Sequence, residues 1–130
     1  MNRTLKILTA QEYSEMGTEL QVLRLPNDAD VQHIALDGVK VIELHFPKFT
    51  DGRAYSQAFA LRRRRGFQGD IRAVGDVLVD QVVQMQRTGF SSAVLRADQD
   101  PGQAQRQFER FAAFYQGDVQ EPRPLFSRAA

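Results

Sequence analysis

The chain contains no cysteine. That excludes disulfides, thiol redox chemistry, cysteine nucleophiles and thiolate-held zinc or iron–sulfur sites. Histidine is scarce as well. His33 and His45 stand apart, so no metal centre is expected. No apolar run approaches the roughly 20 residues that cross a bilayer. The opening Met1-Asn2-Arg3-Thr4-Leu5-Lys6 has no apolar stretch after its charges. It therefore does not read as a signal peptide, and a cytoplasmic location is expected. An excess of one charge is also lacking: 17 basic and 16 acidic side chains leave +1. That balance argues against nucleic acid or a membrane surface as the main partner. The phosphate-cradling GxGxxG and GxxxxGK[ST] patterns and the GxSxG elbow are absent too.

What is present suits one small α/β domain. A hydrophobic fraction of 42% and a charged fraction of 25% are globular values, so a packed core is expected. Residues 1–19 show no clear period and read as an N-terminal extension. Residues 20–115 read as the α/β domain and 116–130 as an extended C-terminal tail, with Leu125 and Phe126 as anchors. Short β-branched runs at 20–25, 39–46, 70–74 and 91–95 are bounded by glycine, proline or asparagine and predict four strands. Helices are expected near 54–65, 77–88 and 101–115, with a short one over 30–36. Tyr55, Ala58 and Phe59 would make the buried stripe of the first long helix. Asp76 is placed to cap the second, and Asp100-Pro101 to open the third. The fold class expected is α/β, a mainly parallel four-stranded sheet built from βα units. Open sheet and partial barrel both fit, and exposed strand edges would favour a homodimer.

In a parallel sheet, ligands gather at the carboxyl ends of the strands. That edge should carry Pro26-Asn27-Asp28, the loop from Lys48 to Arg53, and Gly75-Asp76. The candidate anion or partner site is therefore Lys48, Asp51, Gly52, Arg53, Arg72, Asp76 and Asp80. Backbone amides at a helix start, with Arg53 or Arg72 adding a guanidinium fork, suit a small oxyanion or carboxylate. The plain alternative is turn chemistry, with Asp51 capping, Gly52 bending and Arg53 pairing with an acid. Arg72, mid-strand, calls for a carboxylate such as Asp76 or Glu43 if the strand is buried; an edge or half-exposed strand is the plain alternative. Asp80 lies about 140° from the apolar stripe of its helix and should face outward. Arg62-Arg63-Arg64-Arg65 spreads over about 300° of a helix and so forms no single patch. No catalytic triad can be assembled from these parts.

Certain segments resemble a known family. They are Leu25-Pro26-Asn27-Asp28, Phe46 to Ser56, Arg72 to Leu78 with Asp80-Gln81 and Gly89-Phe90, and Phe114-Tyr115-Gln116 followed by Pro124-Leu125-Phe126. Together they resemble the bacterial family called domain of unknown function 934. Members are commonly labelled oxidoreductases, and their genes often lie beside those for sulfite or nitrite reductase haemoproteins and the reductase of activated sulfate. The resemblance implies a role in assimilatory sulfur reduction and carries over no catalytic residues. Redox chemistry needs an electron carrier, and neither a thiol pair nor a dinucleotide loop is present. No tightly bound cofactor is therefore expected. The leading expectation is an accessory or binding protein whose partner is a sulfite/nitrite reductase or sulfate-reduction enzyme. An oxidoreductase using a borrowed cofactor and a structural dimerising α/β module are the alternatives.

Overall fold

Five strands, one more than the sequence pattern predicts, form a single parallel sheet in the computed structural model, which describes residues 5–16 and 21–120, with side chains through residue 110. The strands are β1 (Lys6–Leu8), β2 (Val22–Leu25), β3 (Val41–Phe46), β4 (Asp70–Gly75) and β5 (Ser92–Val94). Their spatial order is β1-β5-β4-β3-β2, and every pairing is parallel. The helices are α1 (Ala10–Glu15), α2 (Arg53–Arg63), α3 (Val82–Thr88) and α4 (Pro101–Gln120).

The extra strand lies in the segment expected to be irregular. β1 is only three residues long and pairs with β5 through Lys6, Ile7 and Leu8. Thr9 and Glu12 then form a capping box that starts α1. The tail also differs: α4 continues through residues 116–120. Residues 121–130, with the proposed anchors Leu125 and Phe126, lie outside the described residues.

The helix expected over 30–36 does not form. The Asp30 carboxylate accepts from the Gln32 amide at 2.9 Å and meets His33 Nδ1 at 2.7 Å. Such local bonds offer the backbone a turn in place of a helix, and seven residues are too few to nucleate one cheaply. α2 secures this connection instead. Gln57 Nε2 donates to the carbonyls of Pro26 and Ala29, and Arg65 Nη1, just past the helix, donates to that of Val31. Arg62 likewise satisfies the Phe67, Gly69 and Gly89 carbonyls. Two of the four consecutive arginines thus serve the fold.

The core fills one face of the sheet. Ile42, Leu44, Phe46, Ile71 and Ala73 are fully buried and belong to one cluster with Ala58 and Leu61 of α2 and Val82 and Met85 of α3. The Phe46 ring meets Tyr55 edge-on at 5.1 Å and Phe90 at 5.8 Å. Phe59, expected in the buried stripe of α2, is 45% exposed. Gln57 takes an inward position because its amide has those two carbonyls to serve.

The opposite face has another character. Residues directly paired across a parallel sheet project on the same side. The pairings align Arg24, Glu43, Arg72, Ser92 and Lys6 in one transverse row. A polar row crosses all five strands where a doubly covered parallel sheet would ordinarily carry aliphatic side chains. α1 joins strands at opposite edges, and its Tyr13 hydroxyl donates to Glu43 Oε2 at 2.6 Å. The helix itself buries no residue.

Candidate functional site

The loops after β3 and β4 meet at the carboxyl edge of the sheet, each anchored by an ionic cluster. In the first loop Asp51 holds Arg53. Asp51 Oδ1 accepts from the Arg53 amide at 3.0 Å, and Oδ2 meets Arg53 Nη2 at 2.9 Å. Asn27, from the loop after β2, donates to the same carboxylate at 2.7 Å. The Arg53 hydrogen bonds, with help from Asn27, lower the Asp51 pKa to about 2. Gly52 stands at the N-cap with φ −93°, a conformation open to other residues.

In the second loop, Asp76 does not cap a helix. The chain turns at Asp76, where the Val77 amide bonds to the Gly75 carbonyl at 2.9 Å; Leu78 is extended, and helical turns begin only at Val79. The free amides there are taken by glutamines: Leu78 N donates to Gln81 Oε1 at 3.2 Å, and Val79 N to Gln99 Oε1 at 2.9 Å. Asp76 reaches across to the neighbouring loop and accepts from the Phe49 amide at 2.8 Å. Arg96, from the segment after β5, binds Asp76 at 2.6 Å and Asp98 at 2.7 Å. Arg96 lowers both carboxyls: Asp76 falls below its usual range and Asp98 to about 2. Arg96 was not singled out in the sequence, because its two acids are 20 and 2 residues away in opposite directions.

Phe49 is thereby held from both sides. Its amide is bonded to Asp76, and its carbonyl accepts from Gln81 Nε2 at 2.6 Å. Its side chain is nevertheless 46% exposed. Pro47, Lys48 and Thr50 around it are exposed too.

The other sequence-predicted residues separate. Arg53 and Asp76 share the edge but pair with Asp51 and Arg96, not with each other. Arg72 lies away from it, in the middle of β4 on the polar face. It is 3% exposed, with Nη1 2.9 Å from Glu43 Oε2 and Nη2 3.5 Å from Asp70 Oδ2. Asp80 is exposed and faces Gln107 of α4, 3.5 Å away.

Around Glu43 the polar row forms a compact network. Its Oε1 meets Arg24 Nε at 3.1 Å, and its Oε2 takes both Arg72 and the Tyr13 hydroxyl. The Arg72 guanidinium lies 5.7 Å from the centre of the Tyr13 ring. Asp70 accepts from Ser91 and Ser92 beside it. A cleft of about 280 Å³ opens next to this network, lined by Arg24, Leu25, Pro26, Glu43, His45 and Val74. Tyr13 and Arg24 were missed in the sequence, since only strand register places them over Glu43.

Burial, and then the Glu43 carboxylate, raise the Tyr13 pKa, and burial raises that of Tyr55. Both phenols therefore stay neutral in the fold above the usual value of 10.0. An acid whose folded pKa is raised contributes stability below its unfolded pKa and loses it as pH climbs through the folded value. Absorbance at the tyrosinate band should show late titration of these two phenols, and Tyr13→Phe should remove one of them. Unchanged late titration in that variant would place Tyr13 in water.

The family model described as "Bacterial protein of unknown function (DUF934)" matches residues 22–126. No curated protein and no solved structure matches the chain.

Proposed function

The chain belongs to that bacterial family, and from this premise we propose that it is an accessory protein of assimilatory sulfur reduction. It docks a partner enzyme through the carboxyl edge of its sheet. The observation that carries this reading is Phe49, an exposed aromatic side chain whose backbone is fixed on both sides by Asp76 and Gln81. A backbone already held in place loses little freedom on binding, and aromatic side chains supply much of the energy of protein interfaces. The charges around it point the same way. Arg53 and Arg96 are bonded within their own clusters, which leaves a surface suited to a protein more than a site emptied for an ion. The partner proposed is the sulfite or nitrite reductase haemoprotein, the enzyme implied by the family resemblance.

Phe49→Ala should weaken binding to that purified haemoprotein by at least about tenfold, as for an aromatic at the centre of an interface. Thermal stability should be nearly unchanged, because the side chain packs little in the free protein. Titration calorimetry with both proteins measures the first and a melting curve the second. Equal binding by wild type and Phe49→Ala would remove this edge as the docking surface.

A further inference from the structure

The cleft opens on the polar face beside the carboxyl edge and is lined by other residues than those around Phe49. Its charged wall is Glu43, 3% exposed, whose two oxygens are already engaged by Arg24, Arg72 and Tyr13. A carboxylate with three donors has little left to offer a cation. The accessible polar groups are Arg24, 60% exposed on its side chain, and His45, also exposed. Both are donors: a guanidinium always is, and an imidazole has at least one N–H or gains a second on protonation. Arg24 is also oriented, because Nε is held on Glu43 at 3.1 Å. A fixed guanidinium matches the two oxygens of a carboxylate.

The remaining lining, Leu25, Pro26 and Val74, is apolar. It provides a surface for a short hydrocarbon body. The volume of about 280 Å³ lies just below the roughly 300–1,000 Å³ typical of ligand pockets, so the occupant is small. Position agrees with chemistry, since the cleft adjoins the carboxyl ends of β2, β3 and β4.

We propose that this cleft binds a small organic carboxylate, its charged end on Arg24 and His45 and its apolar body against Pro26 and Val74. The Glu43–Arg72 pair is then a positioning device: it fixes Arg24 and does not itself contact the ligand.

Titration of the full-length protein followed by nuclear magnetic resonance tests this, with butanoate as the probe. Saturable shifts are expected at the His45 ring and the amides of residues 24, 25, 43–45 and 74. n-Butylammonium, with the same body and opposite charge, should give none. Arg24→Gln should weaken butanoate binding by about tenfold or more, as expected for a lost charge-assisted contact, with the rest of the spectrum unchanged. His45→Ala should weaken it by less. The proposal is overturned if butanoate gives no saturable shift, if butylammonium binds equally, or if Arg24→Gln binds as wild type does. Inorganic phosphate binding as tightly as butanoate would overturn the assignment to an organic anion.

Discussion

Glu43→Ala is expected to lower the unfolding free energy by about 3–5 kcal/mol, the cost of leaving a buried charge without its partner. Arg72 is 3% exposed, and the variant removes the carboxylate that its Nη1 meets at 2.9 Å. Arg72→Ala should cost less, about 3 kcal/mol at the low end of the same range, because Glu43 keeps Arg24 and Tyr13. The double replacement Glu43→Leu with Arg72→Met should recover most of the loss. Apolar side chains of similar volume need no desolvation of charge, and such exchanges are often neutral or stabilising. Urea unfolding of the four proteins, with unchanged dependence on denaturant, measures these differences. If each single variant costs less than about 1 kcal/mol, the pair behaves like a surface salt bridge, and the polar row is not a buried network.

A stability-neutral apolar replacement would also say why the network is there. Evolution could have filled this face with aliphatic residues, as parallel sheets usually do. A row that adds no net stability but orients Arg24 beside a cleft is better explained by what the cleft holds. The double variant should therefore fold and yet bind butanoate poorly.

The middle of the fold could be read from the chain because its signals are local. β3 is a β-branched run between Gly38 and Pro47, and α2 and α3 end near Gly66 and Gly89, whose φ values are positive. β1 was obscured by its length: three residues cannot display a period. Yet Thr9 and Glu12 stand at capping-box spacing and could have marked α1. The site was legible in part for the same reason. Asp51 with Arg53 is a contact between residues two apart, so turn chemistry foretells it. Phe49 with Asp76 spans 27 residues and Tyr13 with Glu43 spans 30. Those contacts depend on which strands are neighbours, and nothing in the local pattern encodes that order. Arg72 shows the boundary between the two. A mid-strand arginine announces the need for a carboxylate, but only the β3–β4 register chooses Glu43 over Asp76.

Gly75→Ala is expected to cost about 2–4 kcal/mol, the sum of a strained backbone and an overpacked contact. Gly75 has φ +102°, and a Cβ there would collide with the Phe46 carbonyl oxygen and crowd the His45 ring. That oxygen cannot retreat freely, because it accepts the Asp76 amide at 2.8 Å. The strain therefore falls on the residue that holds Phe49. Hydrogen exchange at the Phe49 amide reports this directly: protected in the wild type, it should exchange much faster in Gly75→Ala. Asp76→Ala should give the same local loss with less effect on global stability, since it removes the acceptor without distorting β4. Gly52→Ala is the contrast. Its φ is −93° and no atom lies within 4 Å of the added Cβ, so stability should change by less than about 0.5 kcal/mol. Two glycines of the same edge, both prominent in the sequence, thus differ in kind. One is a turn residue that alanine can replace, while the other sets the path by which β4 fixes the exposed aromatic. If Gly75→Ala retains wild-type stability and a slowly exchanging Phe49 amide, the edge is pliable. The docking surface then forms only on contact with its partner.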